Sequence, residues 1–156
     1  MSEQEQSTQA VFSIEKLYVK DLSLEVPGAP QIYREREAPQ VDVSMNNSGK
    51  AVSDDYYEVV INLTVTAKLK EKTVFLVEVA YGGVFRIRNI ANTEIEMVLG
   101  VTCPNILFPY LREVVSETVS RAGFPPVILH PMNFEAIYQA RQQKGDAASV
   151  AGSTTH

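Results

Sequence analysis

Tyr57-Glu58-Val59-Val60-Ile61-Asn62-Leu63-Thr64-Val65-Thr66-Ala67-Lys68-Leu69 sets an apolar or aromatic side chain at every second position from Tyr57 to Leu69. The alternates Glu58, Asn62, Thr64, Thr66 and Lys68 are polar, with Val60 the exception. Successive side chains of a strand point to opposite faces, so the stretch reads as a strand with one face on a core and one toward water. Glu71-Lys72 stands where a hairpin turn belongs. Thr73 to about Ile87 then repeats the pattern, with Phe75, Val77, Val79 and Tyr81 on one face and Val74, Leu76, Glu78 and Ala80 on the other. Gly82-Gly83 inside this strand predicts a bulge or bend.

Upstream, Phe12, Ile14, Tyr18, Leu22, Leu24 and Val26 share one parity, interrupted by Lys16 and Lys20. Ser13, Glu15, Leu17, Val19, Asp21, Ser23 and Glu25 take the other, giving a first strand that Pro27-Gly28-Ala29-Pro30 stops. The charged segment to Pro39 lacks periodicity and reads as a long connection. Val41, Val43 and Met45 alternate with Asp42, Ser44 and Asn46, a short second strand, and Asn46 to Lys50 reads as a turn.

Downstream the period changes. Thr93-Glu94-Ile95-Glu96 has the form of a capping box opening a short helix that Gly100 ends. Pro104 and Pro109 bracket the start of the main helix, which runs to about Ala122 and stops at Gly123 and Pro125-Pro126. Asn133 is placed to cap a last short helix carrying Phe134, Ile137 and Tyr138. These elements predict residues 1–10 as a flexible lead, 11–144 as one domain and 145–156 as a disordered tail. Strands followed by helices give an α+β fold: a four-stranded antiparallel sheet with a long helix and a short C-terminal helix packed on one face.

The composition narrows the function classes. A net charge of -5 argues against nucleic acid and anionic membranes. A single cysteine, Cys103, excludes an intramolecular disulfide and a multi-thiolate zinc site. Met1 to Gln9 is polar and acidic, unlike a secretory signal, and no apolar run approaches the roughly 18–20 residues that span a bilayer, so a cytosolic chain is expected. Of the two histidines, His156 is terminal and His130 lies in a connector. Cys103 and His130 are the sole candidates for a nucleophile pair. A buried thiol and a loop histidine account for them more simply, and neither a phosphate loop nor metal-ligand spacing is present. The expectation is a non-enzyme without a cofactor.

On a helical wheel, Leu107, Phe108, Tyr110, Leu111, Val114, Val115, Val119 and Ala122 cover about half the main helix, more than the roughly 100° stripe that packing on one sheet needs. The surplus predicts an oligomer, with Leu107, Leu111, Val114, Val115 and Val119 at its interface; the alternative is that the short C-terminal helix covers it. On the sheet, Asp21 and Glu25 share the outer parity of the first strand, and Leu76 and Glu78 that of the fourth. If both face the same side, the outer face is acidic with apolar spots, which reads either as an ordinary solvated sheet face or as a docking patch with an apolar anchor for a basic partner.

The run Cys103-Pro104-Asn105-Ile106-Leu107-Phe108-Pro109-Tyr110, followed by Arg112-Glu113, resembles the signature of the SecB export chaperones. Tyr18 to Glu25, Phe75-Leu76-Val77-Glu78-Val79, Gly82-Gly83-Val84-Phe85 and Pro131-Met132-Asn133-Phe134 extend the resemblance from about Phe12 to Gln142. It implies a dimer of dimers with the long helices inside. It also implies a holdase that binds unfolded secretory precursors without ATP and delivers them to SecA, the translocase ATPase. The basic zinc-containing C-terminal segment of SecA would dock on the acidic face, at positions that fall on Asp21, Glu25, Leu76 and Glu78. Precursor would lie along Val41, Val43 and Met45, with Tyr33 and the last helix as weaker candidates. Where relatives often carry Trp late in the long connection, this chain has Glu37, and its tail has one acidic residue, Asp146. A second reading is an adaptor that docks a basic partner through the acidic face and binds no unfolded chain.

Overall fold

The computed structural model describes residues 9–153, with side chains through residue 145. Four strands, β1 (Val11–Glu25), β2 (Gln40–Ser53), β3 (Tyr56–Leu69) and β4 (Lys72–Arg88), form one antiparallel sheet in the order β1-β4-β3-β2. The long connection after Glu25 therefore crosses from one edge of the sheet to the other. It carries a 3-10 turn at Gln31–Arg34 that buries Ile32 in the core.

The alternation in β3 and β4 reads through to the structure. Val59, Ile61, Leu63, Val65 and Ala67 are buried, as are Phe75, Val77, Val79 and Tyr81. Lys70, with φ 57°, turns the β3–β4 hairpin. Gly82-Gly83 makes no bulge, since both residues pair in register with Val60 and Val59. These glycines serve close approach instead. A Cβ on Gly83 would stand 2.9 Å from Leu107, and one on Gly82 2.9 Å from the Tyr18 ring.

Two irregularities that matter for the outer face lie in β1, at Glu15 and Lys20, which the ladder with β4 skips; others fall near strand ends, at Val52 in β2 and Val74 in β4. Each inserted residue reverses the parity of the residues after it. Leu17 and Val19 therefore join Phe12, Ile14, Leu22 and Leu24 on the core-side face, opposite Gly83 and Tyr81, while Tyr18 turns to the outer face opposite Gly82. A single unbroken parity for β1 was the wrong expectation.

β2 is also longer than expected. Asn46 to Lys50 is strand, paired with Asn62 to Glu58, because the ladder to β3 satisfies its backbone. The turn falls at Asp54-Asp55, where Asp55 takes φ 66°.

The expected short helix does not end at Gly100. Helix α1 (Asn92–Met97) runs through a π turn (Val98–Thr102) into α2 (Cys103–Arg121), and the Cys103 amide donates to the Val98 carbonyl five residues back. Gly100 is needed for contact, since a Cβ there would meet the Tyr138 ring at 2.7 Å. Thr93 lies inside α1 and caps nothing; Ala91 is the cap residue. Pro109 likewise sits within α2. Gly123 does terminate it, with φ 91° and bonds from the Gly123 and Phe124 amides to the Ser120 and Val119 carbonyls.

Asn133 caps α3 (Phe134–Ser153), its Oδ1 accepting from the Ala136 amide at 3.0 Å. That helix runs past Gly145 into Ala147 and Ala148, good helix formers, where a disordered tail was expected. The lead expected at 1–10 and the end of the tail fall mostly outside the described residues.

Helix α2 packs on β3 and β4, completing a core of Leu107, Phe108, Leu111, Val115 and Val119 against the sheet. That placement leaves the same face of the two edge strands thinly covered.

Candidate interaction surfaces

Val41 and Val43 stand opposite Ala67 and Val65, so they lie on the core-side face of β2. They are nonetheless 40% and 41% exposed. Helix α2 does not reach them, and the connector after Pro126 forms a second wall instead. Together Val41, Val43, Val127, Ile128, Leu129, His130 and Met132 line an open crevice of about 460 Å³. Ile128, at 71% exposed, stands at its mouth.

Two of the residues expected on this surface lie elsewhere. Met45 shares the face but is half-buried and packs against the core. Tyr33 is not a crevice wall. Its ring stacks on Phe124 at 5.3 Å and its hydroxyl donates to the Ala122 carbonyl at 2.7 Å, which fixes it against the end of α2. The second wall was missed because Val127-Ile128-Leu129 has too few residues to show a period. Its signal was an apolar run held between Pro126 and Pro131.

The opposite face of the sheet is open. The ladder sets Asp21 opposite Ala80, Ser23 opposite Glu78 and Glu25 opposite Leu76. Asp21, Glu25, Leu76 and Glu78 therefore share the outer face on adjacent strands. Glu25, Asp21 and Glu78 are exposed and Leu76 is half-buried beside them. Further along this face Glu58 accepts hydrogen bonds from the Tyr18 hydroxyl and from Lys20 Nζ.

Leu107, Leu111, Val115 and Val119, expected against a second copy, face the chain's own sheet and are fully buried by it. Of the five, Val114 alone keeps partial exposure. A second uncovered apolar surface is on β1: Phe12, Ile14, Val19, Leu22 and Leu24 line its core-side face and are exposed. Val19 pairs with Tyr81, whose ring stacks on exposed Tyr110 at 6.1 Å. The two insertions hid this stripe in the sequence.

Cys103 is wholly buried, and burial pushes its thiol up to about 12. A thiol held neutral in apolar surroundings is a poor nucleophile. His130 is exposed in the crevice wall. The pair does not fit nucleophilic catalysis. Among the described residues no three His, Cys, Asp or Glu side chains are grouped to hold a metal ion, and no helix is long and apolar enough to cross a membrane.

The family model described as SecB, preprotein translocase subunit SecB, matches residues 5–145. A relative from Methylobacillus flagellatus named protein-export protein SecB is 57% identical over 151 residues, covering 97% of this chain and 95% of its own length. Relatives of the same name from Nitrosospira multiformis and Dechloromonas aromatica are 59% and 60% identical, covering 96% and 94% of this chain and 93% and 97% of theirs. Among solved structures, a SecB-like chaperone from Mycobacterium tuberculosis, in complex with a ChAD peptide from an antitoxin, has a TM-score of 0.65. It is 17% identical and covers 78% of this chain and 90% of its own, so it shares the fold.

Proposed function

The chain belongs to the SecB family of protein-export proteins, and from that membership we propose that it holds unfolded secretory precursors in the Val41–Ile128 crevice and passes them to SecA. One observation carries the reading: an apolar crevice stays open on the core-side face of an edge strand, where a protein that bound nothing would have closed it. The SecB-like chaperone of shared fold was solved with a peptide, which is consistent with this use of the fold.

The energetics suit a holdase. Burying one Val, Leu or Phe is worth roughly 1.5–3 kcal/mol. Four client side chains contribute about 6–12 kcal/mol gross, and ordering the client removes about 2–5 of it. One crevice then binds on the order of micromolar or weaker. Several crevices acting on one chain raise avidity by about 10²–10⁴. Tight holding with little sequence preference thus calls for an oligomer. The apolar stripe Phe12, Ile14, Val19, Leu22 and Leu24 supports one, and its occupant is a second copy of this chain; two such pairs form a dimer of dimers. The acidic outer face with Leu76 is the SecA dock. No nucleotide is used, and the complex works in the cytosol.

The experiment is native mass spectrometry of the purified chain with a reduced, denatured precursor and no nucleotide. The expected result is a tetramer that gains precursor. Absence of binding to any non-native chain would reject the reading in favour of an adaptor that uses only the acidic face.

A further inference from the structure

Glu58 on β3 is held from the far edge strand. Its Oε2 accepts the Tyr18 hydroxyl, and its Oε1 lies 2.9 Å from Lys20 Nζ and 3.9 Å from Lys50 Nζ. β4 runs between β3 and β1, so Tyr18 must cross it. It crosses at Gly82, its partner in the ladder, where a Cβ would stand 2.9 Å from the ring. The two residues that reach Glu58 flank Val19, and Lys20 is itself the inserted residue of the second irregularity in β1.

That insertion decides which way the acidic patch faces. With it, Asp21 pairs with Ala80 and Glu25 with Leu76 on the outer face. Without it, Lys20 would take Ala80, Asp21 would take Val79, and the rest of the strand would turn over. Asp21, Ser23 and Glu25 would point to the core side, and Leu22 and Leu24 outward. As an edge strand β1 has one neighbour in the sheet, so few ladder bonds resist such a slip.

We propose that Glu58 is a positioning residue for the docking face: by gripping Tyr18 and Lys20 it locks the insertion and holds Asp21 and Glu25 outward. The docking role itself rests on the SecA reading above. The Glu58 side chain is 13% exposed, which protects the ion pair from full solvent screening. Its acid lies below its ordinary value because of the Tyr18 hydrogen bond first and Lys20 second, and burial followed by the bond to Glu58 pushes Tyr18 up to about 12.

The test reads register directly. Ser23→Cys with Glu78→Cys reports the observed pairing by disulfide formation, and Leu22→Cys with Glu78→Cys reports a one-residue slip; the native Cys103 is buried. Adding Glu58→Ala to each pair is expected to lower the first yield at least threefold and raise the second. Tyr18→Phe, which deletes one hydroxyl, shifts both yields the same way by less. Glu58→Gln, whose single amide oxygen can accept from Tyr18 or from Lys20 in place of the two carboxylate oxygens, restores part of the first yield. Unchanged yields in both Glu58→Ala and Tyr18→Phe, with native mass retained, would overturn the proposal. In chains without added cysteines, Glu58→Ala is expected to weaken SecA binding at least fivefold, as Asp21→Lys does. Should the register shift while neither Glu58→Ala nor Asp21→Lys alters SecA binding, the docking reading is overturned and the register lock stands. Loss with Asp21→Lys and none with Glu58→Ala overturns the positioning role alone.

Discussion

Glu25 stands directly opposite Leu76 in the β1–β4 ladder, an acid beside an apolar side chain on the open face of the sheet. The two do different work at an interface. A rim charge speeds encounter with a basic partner and fades as salt screens it, whereas a desolvated leucine slows departure. Charge reversal at Asp21, Glu25 and Glu78 together is expected to lower the association rate with SecA by about tenfold or more at low salt. Leu76→Ala should chiefly raise the dissociation rate. Surface-plasmon measurements at two salt concentrations separate the effects, and precursor binding by the charge-reversed chain should persist.

The crevice makes a separate prediction. Val43→Asp or Ile128→Asp puts a charge where a client side chain would be buried, and each lost apolar contact is worth roughly 1.5–3 kcal/mol. Precursor affinity should fall by about tenfold or more in each, with SecA docking retained. Titration of a labelled unfolded precursor checks it.

Leu111 lies in the chain's own core, so its loss should act on folding. Leu111→Ala is expected to cost about 2–5 kcal/mol of stability through lost burial and the cavity left behind. Phe12→Asp with Leu22→Asp should instead halve the native mass while the sheet stays folded. Urea unfolding followed at several protein concentrations tells the two apart.

Glu58 predicts a pH dependence. Its folded acid is depressed, so its contribution to stability is complete above its ordinary value of 4.5 and is lost as pH falls through the folded value. Tyr18 is raised, so its contribution is present below 10.0 and lost as pH climbs through about 12. Glu58→Gln should flatten the fall in melting temperature below about pH 4.5. An unchanged acid limb would show that the bonds of Glu58 carry no stability.

Sequence was most legible where one residue type had one job. Val59 to Ala67 and Phe75 to Tyr81 set an apolar side chain at every second position, and the sheet buries those positions. It was least legible where a residue's role depends on a distant partner. Gly82 and Gly100 read as a bend and a stop, but each is small because a ring, that of Tyr18 or Tyr138, lies on it. Glu15 and Lys20 broke the β1 pattern, and only the ladder shows them as insertions. The shared outer face of Asp21, Glu25, Leu76 and Glu78, the proposed dock, was legible because these residues lie beyond or outside those insertions, where parity still holds. The crevice was half legible: Val41 and Val43 show a strand face, but nothing local says that Ile128 comes to stand beside them.

The most direct test attaches a photo-crosslinker to Val43→Cys, since the native Cys103 thiol is buried, and mixes the chain with unfolded precursor without nucleotide. Held in the crevice, the precursor should crosslink at position 43 and be displaced by excess unlabelled precursor. No crosslink from a chain that still binds precursor would place the client on another surface.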